Sequence, residues 1–330
     1  MSFGDLFGDK GNGPVISGPY SGLSGDADTI NFPAIYGMAD AFDAFTFDDS
    51  RVVIGVDGTG ETVTADFSGE SPHIMCSAST GAGKSATLRA IAAQCLAKGW
   101  QVIILDIKQH SHMWADGLPN VHIARTLPEI GNALAIAGQE THKRNSVALE
   151  WMRAEHAKGN YGANVEDAPV GPRTVVIFEE MNSTFEELRN LTRQMFRNVQ
   201  VYDALSGFKD AVNMGRAAKI HFVCVGQYME ARVMGGAGIR ANFATRILIR
   251  HDKNAWNMLA WDCGYPKAAP EENGRAYMCR SGKARMIQLL YVTEREARTF
   301  AAESQRARAD ALSARQTDAT TLPVPDTFRA

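Results

Sequence analysis

A glycine-rich turn between an apolar run and a helical segment constrains the fold of this chain more than any other sequence feature. The run HIMCSA covers residues 73–78, and a helical pattern begins at about Lys84. From Ala78 to Ser85 the sequence matches the phosphate-binding pattern G-x-x-x-x-G-K-[S/T], except that alanine stands at the first position. Because alanine disfavours a positive φ, the loop can work only if Ala78 keeps a negative φ at the end of the strand.

The residue types in this turn suit the phosphate groups of a nucleotide. Successive backbone N–H groups and the N-terminus of the following helix attract phosphate, the Lys84 ammonium reaches the β- and γ-phosphates, and the Ser85 hydroxyl can bind Mg²⁺. The order of strand, loop and helix is also the one that the pattern requires. The predicted nucleotide-binding residues are Thr80, Gly81, Ala82, Gly83, Lys84, Ser85 and Ala86.

Apolar runs and helical patterns alternate along the rest of the chain. The runs that predict buried strands cover residues 101–106, 174–179, 219–226 and 244–250, and residues 126–158 are helical in pattern. This alternation predicts an α/β fold with a doubly wound, mostly parallel central sheet flanked by helices.

Composition divides the chain into four predicted segments. Residues 1–30 are rich in glycine and aspartate and predict a flexible tail, because they cannot bury enough apolar surface to become ordered. Residues 31–70 combine a docking segment with a β-hairpin. The main domain covers residues 71–300, and residues 301–330 form a C-terminal helix and tail.

Charge and hydropathy narrow the class of protein. The whole chain carries a formal charge of −3 and its first 50 residues carry −7, so the remainder carries +4. A mildly basic body permits a polyanionic partner without requiring one. No apolar run approaches the roughly 18 residues of a membrane span, and the N-terminus lacks the layout of a signal peptide, so we expect a cytoplasmic protein.

The cysteines and histidines give no pattern of a metal centre. The five cysteines are far apart and form no C-x-x-C pair, and three of them lie in apolar runs, as core residues in a reducing compartment would. His110 and His112 come closest to a metal-binding pair. Because no carboxylate or thiol ligand follows at a suitable spacing, a solvated loop is the better interpretation.

Polar residues follow two predicted strands at the ends where ligands bind in open α/β sheets. Glu179 and Glu180 end the run TVVIFEE. In hydrolysing nucleotidases the first acid orients Mg²⁺ and the second polarises the attacking water, so we predict Glu179 as a metal residue with Ser85, and Glu180 as general base. The alternative is that both acids cap the next helix. Gln227, after HFVCVG, could contact the γ-phosphate and the attacking water, or simply occupy a turn.

Six short motifs occur in one order across the chain. They are Pro-His before the phosphate loop, Asp-x-Lys in VIILDIK, E-x-x-x-R in ETHKR, R-A-x-x-I-H in GRAAKIHFVCVGQ, I-x-x-N-x-x-x-R in IRANFATR, and a closing hairpin from GRAYM to EREA. The residues at their key positions are Pro72, His73, Asp106, Lys108, Glu140, Arg144, Arg216, His221, Gln227 and Arg246. Together, from about residue 52 to residue 298, they resemble the FtsK/SpoIIIE DNA translocases of the FtsK/HerA P-loop motors.

Three positions depart from that family's pattern. Ala78 replaces the first glycine, Glu179 replaces the usual aspartate, and Gly226 replaces the threonine before the glutamine. The sequence also shows neither the membrane-spanning region of the cell-division members nor a DNA-orienting winged helix after residue 298. A compact motor domain encoded by a plasmid, phage or integrated element therefore fits better than a chromosome-orienting one.

The resemblance implies a RecA-like P-loop NTPase with an N-terminal β-hairpin and a C-terminal hairpin plus helix. It further implies that the chain uses ATP and Mg²⁺ and translocates double-stranded DNA through a homo-oligomeric ring, expected to be a hexamer. A recruiting protein would be a further partner of unknown identity. The alternatives are a related motor that moves a protein substrate in secretion, and a nucleotide-binding partner without turnover.

The resemblance also assigns catalytic roles. Lys84, Glu180 and Gln227 would act within one subunit. Arg246, ranked first, and Arg216 are candidates for the positive group that a neighbouring subunit supplies to stabilise the transferring phosphoryl. A surface or strand-edge arginine is the alternative interpretation of each.

DNA contact in such a motor is made to phosphates, so it requires basic side chains and backbone N–H groups on channel surfaces. Arg189, Arg193 and Arg197 share one helix face at four-residue spacing, which is also typical of a solvated helix surface. Arg240 lies in the glycine-rich segment 233–242, predicted to be a mobile channel loop.

Overall fold

The computed structural model describes residues 32–33, 35–41, 44–45, 50–69, 72–78, 81–194, 199–226, 236–266 and 270–320. The strands are β1 (Tyr36–Gly37), β2 (Arg51–Asp57), β3 (Thr62–Asp66), β4 (Ile74–Ala78), β5 (Gln101–Leu105), β6 (Val121–Ala124), β7 (Thr174–Phe178), β8 (Ile220–Gly226), β9 (Thr245–Ile249), β10 (Arg275–Arg280) and β11 (Lys283–Tyr291). The helices are α1 (Met38–Ala41), α2 (Lys84–Ala97), α3 (Leu127–Ala157), α4 (Met181–Gln194), α5 (Val199–Ala218), α6 (Ala237–Ala241), α7 (Lys253–Leu259) and α8 (Glu294–Thr320). Short 3₁₀ turns cover Met113–Ala115 and Val165–Asp167.

The described strands form one sheet in the order β3-β2-β11-β10-β9-β4-β8-β7-β5-β6, with β1 paired to β11. From β9 to β6 all pairings are parallel, and from β9 to β3 all are antiparallel. The predicted α/β fold with a mostly parallel, helix-flanked sheet is confirmed. The two predicted hairpins, β2–β3 and β10–β11, extend this same sheet.

Helices cover both faces of the sheet, and the sheet separates two hydrophobic cores. On one face α2 and α8 contribute Leu88 and Phe300 to a cluster that also includes residues of β2. On the other face α3, α4 and α5 pack together, with Phe185 and Phe208 at their contact. Helix α2 is buried on nearly every side, which explains its alanine-rich sequence. The start of α2 is therefore rigidly placed beside the end of β4.

Two sequence boundaries differ from the structure. Helix α8 begins at Glu294, inside the segment assigned to the main domain, and it packs on α2. In the predicted mobile loop 233–242, residues 237–241 form α6. Ile239 is buried there, and this apolar anchor is why the described part of the segment is helical and packed.

All five cysteines are buried, in agreement with the core positions expected for three of them. Within the described ranges, no three His, Cys, Asp or Glu side chains form a group that could hold a metal ion. None of the described helices is long and apolar enough to cross a lipid bilayer.

Candidate nucleotide-binding site

The phosphate loop has the backbone that its sequence predicts. Ala78 is the last residue of β4, pairs with Ile249 of β9, and does not have a positive φ. Gly81 and Gly83 do have positive φ, 75° and 104°, and no atom lies within 4 Å of the position that a Cβ would take at either glycine. Glycine is needed here for its backbone freedom, and the space in front of the loop is open. Thr80 lies outside the described residues.

One cavity of about 490 Å³ joins the phosphate loop to both predicted acids. It lies at the carboxyl ends of the parallel strands, because α2 follows β4 and the two glutamates follow β7. Its lining residues are Gly81, Gly83, Lys84, Ser85, Ala86, Lys108, Glu179 and Glu180. The structure thus brings together residues that are about 95 positions apart in the sequence.

Ser85 and Glu179, the predicted metal residues, lie in direct contact. The Ser85 hydroxyl donates to Glu179 Oε1 over 3.2 Å. Burial raises the pKa of Glu179, but contacts with His112 and Ser111 and the charge of Lys108 outweigh burial and hold this pKa at about 2. The carboxylate is therefore ionised at neutral pH, and the paired oxygens fit the preference of Mg²⁺ for hard oxygen ligands. Glu179, which replaces the usual aspartate, therefore contacts the serine despite its additional methylene group.

His112 is buried against Glu179. The prediction that His112 belongs to a solvated loop is therefore wrong. His112 is fully buried, and its Nε2 lies 3.1 Å from Glu179 Oε2. Trp114 Nε1 donates to His112 Nδ1 over 3.4 Å. Because an indole N–H can only donate, Nδ1 accepts and Nε2 carries the ring proton. The segment is buried because β5 and β7 are parallel neighbours whose following loops meet.

Glu180, the predicted general base, accepts hydrogen bonds from two lysines. Its Oε1 lies 2.9 Å from Lys84 Nζ and 2.8 Å from Lys108 Nζ. Partial burial raises the pKa of Glu180, but these two lysines outweigh burial and lower it below the usual range. Glu180 also has a φ of 51°, a left-handed conformation that costs a non-glycine residue free energy and is frequent at functional sites.

A second cavity of about 450 Å³ adjoins the phosphate loop on the side of the antiparallel strands. It shares Gly81, Gly83 and Ala86 with the first cavity. Its wall combines aliphatic and aromatic side chains with two side-chain amides. The other lining residues are Ile35, Ala82, Thr87, Asn273, Gly274, Gln288, Leu289, Leu290 and Tyr291. The sequence contained no signal for this cavity, because its walls come from distant parts of the chain.

The two predicted trans-acting arginines have different surroundings. Both lie toward the amino ends of parallel strands, the sheet edge opposite the phosphate loop. Arg246 is 2% exposed, its Nη2 lies 2.8 Å from both carboxylate oxygens of Asp262, and its guanidinium stacks 4.5 Å from the Trp261 ring centroid. The Arg216 side chain is 54% exposed and approaches Glu166 at 3.4 Å. Because it is exposed, Arg216 is the better candidate for a trans-acting arginine, whereas Arg246 ranked first from the sequence. Gln227 lies outside the described residues.

The predicted DNA-contacting arginines are only partly described. Arg189 is half-buried on α4, the side chain of Arg193 lies outside the described part of α4, and Arg197 lies outside the described residues. Arg240 is held in place: its Nη1 donates to the Met258 carbonyl over 2.9 Å, and its guanidinium lies 4.3 Å from the Trp261 ring centroid. This placement contradicts a freely mobile loop at Arg240.

Sequence comparisons agree with this geometry. The family described as the central domain of helicase HerA matches residues 54–137. The DNA translocase FtsK of Shewanella oneidensis is 25% identical over 235 residues, which cover 64% of this chain and 25% of that protein. The resemblance to the FtsK/HerA ATPases is confirmed. The chain spans about a quarter of the length of this FtsK relative.

Solved structures show the same fold. The conjugation coupling protein TcpA of pCW3, in a monomer form with ATPγS, superposes with a TM-score of 0.61 at 18% identity, over 81% of this chain and 72% of TcpA. EssC from Geobacillus thermodenitrificans, a structure of its ATPases 2 and 3, gives a TM-score of 0.62 at 13% identity, over 86% of this chain and 52% of that one. The chain thus has the RecA-like P-loop fold of the FtsK/HerA ATPases.

Proposed function

We propose that this chain is an ATP-hydrolysing motor of the FtsK/HerA type that translocates double-stranded DNA through a homo-oligomeric ring, expected to be a hexamer. The single observation that carries the ATPase part is the shared cavity in which Lys84, Ser85, Glu179 and Glu180 converge. A phosphate loop alone is common to many nucleotide-binding proteins. A strand-end glutamate in the same cavity adds the group that hydrolysis requires.

Each residue of the cavity has a defined task in this proposal. The backbone N–H groups from Gly81 to Ser85 cradle the phosphates at the start of α2, and Lys84 binds the β- and γ-phosphates. Ser85 and Glu179 would hold Mg²⁺, which when bound neutralises phosphate charge. Glu180 accepts the proton of the attacking water once its lysines turn to the phosphate. Gln227 is proposed to contact the same water, as its position after β8 implies.

The second cavity fits the nucleoside part of ATP. It begins at the phosphate loop, so a nucleotide whose phosphates lie on Gly81 and Gly83 can place its base there. Tyr291, about half exposed, and the exposed Ile35 offer apolar surface for the base, while Asn273 supplies an amide at the wall. Apolar walls with a few polar groups are typical of nucleotide-base pockets.

DNA as the substrate is supported by the FtsK relative, by the coupling-protein fold, and by the mildly basic body of the chain. A motor that moves along any sequence contacts phosphates and reads no bases, so its binding is expected to weaken steeply with salt. We further propose that the DNA belongs to a plasmid, phage or integrated element.

The decisive experiment is to measure ATPase activity with duplex DNA, with single-stranded DNA and without DNA, at several salt concentrations. We expect stimulation by duplex DNA that decreases as salt rises, and loss of all activity in Lys84→Ala. Basal activity that is sensitive to Lys84→Ala but indifferent to duplex DNA at every salt concentration would refute the DNA substrate. Stimulation by a polypeptide would then favour a secretion motor, the kind of ATPase that the EccC structures are named for. ATP binding by assembled rings without turnover would favour a non-hydrolysing partner.

A further inference from the structure

Two lysines from different strands converge on one oxygen of Glu180. Lys84, on α2 after β4, and Lys108, after β5, lie 2.9 and 2.8 Å from the same Oε1 atom. Since β7 lies between β8 and β5 in the sheet, Lys108 approaches Glu180 from the side away from the phosphate loop. Lys108 also lies 4.0 Å from Glu179 Oε1 and lines the phosphate cavity.

The turn that carries Lys108 is fixed at both ends. Asp106 is fully buried; its carbonyl accepts from Gln109 N over 3.0 Å and its carboxylate accepts from Ser111 N over 2.9 Å. Gln109 has a left-handed φ of 69°, which completes the turn. At the other end, buried His112 lies against Glu179. The backbone of Lys108 is thus held at the cavity, while its side chain remains 42% exposed and able to move.

The charges of this cluster balance only while no phosphate is bound. Two carboxylates face two ammonium groups: Lys84 and Lys108 both contact Glu180, and Lys108 also lies near Glu179. A triphosphate adds several negative charges next to Glu180, and its γ-phosphate competes with that carboxylate for the same lysines. A diphosphate would be held by the phosphate loop, which carries Lys84 but not Lys108, so we expect it to compete for Lys84 more than for Lys108.

We propose that Lys108 is a γ-phosphate sensor: it binds the γ-phosphate of ATP, and in its absence it holds Glu180 in an ion pair that prevents Glu180 from accepting a proton. This inference rests on the proposed ATPase function and deepens it. Glu180 becomes a competent base only when the γ-phosphate has drawn Lys108 away. The ion pair between Lys108 and Glu180 thus keeps Glu180 from acting as a base while the site is empty or holds ADP.

The test compares the dissociation constants of Mg-ATPγS and Mg-ADP for the full chain and three variants. Lys108→Met is expected to weaken ATPγS binding about tenfold or more, the contribution of one charge-assisted hydrogen bond, and to change ADP binding by less than about twofold. Lys108→Arg, which keeps the charge, should restore part of the preference for ATPγS. Lys143→Met removes an exposed lysine of α3 and should leave both constants unchanged.

The outcomes separate the inference from the proposed function. Suppose that the unaltered chain binds and hydrolyses ATP, but Lys108→Met weakens the binding of ATPγS and ADP equally or weakens neither. Lys108 is then not a γ-phosphate sensor, although the ATPase proposal stands. If the unaltered chain binds neither nucleotide, both proposals fail. A lower kcat of Lys108→Met with ATP, together with the selective loss of ATPγS affinity, supports the sensor.

Discussion

At the scale of single residues, Glu180 is the group on which turnover is predicted to depend. Glu180→Gln keeps the shape of the side chain but removes its ability to accept a proton. We expect kcat for ATP hydrolysis to fall about 10²- to 10⁴-fold, the usual contribution of a general base. ATPγS binding should persist, because the substitution releases Lys84 from its ion pair with Glu180 and leaves it able to bind phosphate.

The matched control is Glu186→Gln, an exposed glutamate on α4. It should leave phosphate release unchanged. Turnover by Glu180→Gln at the rate of the unaltered chain would exclude Glu180 as the base and would favour the helix-capping alternative for the two acids.

His73 makes folding sensitive to acid. Burial lowers the pKa of His73 to about 4, against the opposing hydrogen bond with the Val212 carbonyl. His73 Nδ1 accepts from Phe222 N over 3.0 Å and Nε2 lies 3.0 Å from the Val212 carbonyl, so a second ring proton would face an N–H group. Below pH 6.5 the unfolded chain therefore binds more protons at this position than the folded chain does, and stability falls as pH falls toward 4.

From pH 7.5 to pH 5.0, His73 alone should reduce the free energy of unfolding by about 2 kcal/mol. Urea denaturation at the two pH values measures this difference. His73→Asn should be less stable at pH 7.5 but less dependent on pH, whereas His142→Asn, at an exposed site, should follow the unaltered chain. Equal pH dependence in all three proteins would contradict a neutral, buried His73.

How far the sequence predicts each residue depends on whether its role is local. The strand-end backbone of Ala78 follows from its neighbours in the sequence, and it was predicted. The burial of His112 depends on β7, whose partner residues lie more than 60 positions away. Its sequence shows only a short polar loop, so its contact with Glu179 could not be predicted from spacing alone.

At the scale of helices and strands, apolar periodicity predicts which elements exist, but it does not predict which elements lie next to each other. The strands β5, β7, β8 and β9 were predicted within a residue or two, because runs of β-branched residues mark buried parallel strands. The joining of the β10–β11 hairpin to β2 involves segments about 230 residues apart, so the extension of one sheet across both hairpins required the structure.

The contact between α3 and α5 depends on two glycines that face each other. A Cβ at Gly138 would lie 2.4 Å from Gly207 Cα, and a Cβ at Gly207 would lie 2.4 Å from the Leu134 carbonyl oxygen. Gly138→Ala must therefore push the helices apart, although alanine favours the helix itself by up to about 1 kcal/mol. We expect a net loss of about 1–3 kcal/mol in the free energy of unfolding.

Chemical denaturation of Gly138→Ala measures this loss, with Gly162→Ala as control. Gly162 is exposed and has no atom within 4 Å of its Cβ position, so its replacement should change stability by less than about 0.5 kcal/mol. An unchanged or higher stability of Gly138→Ala would mean that the two helices can separate at no cost.

At the scale of the whole molecule, the placement of the arginines bears on assembly. The phosphate cavity opens at the carboxyl edge of the sheet, whereas Arg216 lies near the amino edge, so it can act only on the site of another subunit. Arg246 lies toward the same edge but is committed to Asp262 and Trp261 within its own chain. We therefore propose that hydrolysis in the ring requires two subunits for each active site, with Arg216 as the group supplied by the neighbour.

Mixing two inactive variants tests this requirement directly. Arg216→Ala should reduce kcat about 10³-fold or more, as the loss of a trans-acting arginine does, without weakening ATP binding to its own intact cavity. Glu180→Gln subunits lack the base but retain Arg216. In rings assembled from equal amounts of both, about a quarter of the sites pair an intact Glu180 with an intact neighbouring Arg216, so up to a quarter of the original activity should return.

The control mixture combines Glu180→Gln with Lys84→Ala. Both changes lie in the same cavity, so no arrangement of those subunits produces a complete site, and activity should stay absent. Recovery only in the Arg216→Ala mixture requires that the arginine of one subunit completes the site of another. Failure of that recovery, with Arg246→Ala recovering in its place, would mean that ring assembly breaks the ion pair with Asp262 and releases the buried arginine across the subunit boundary.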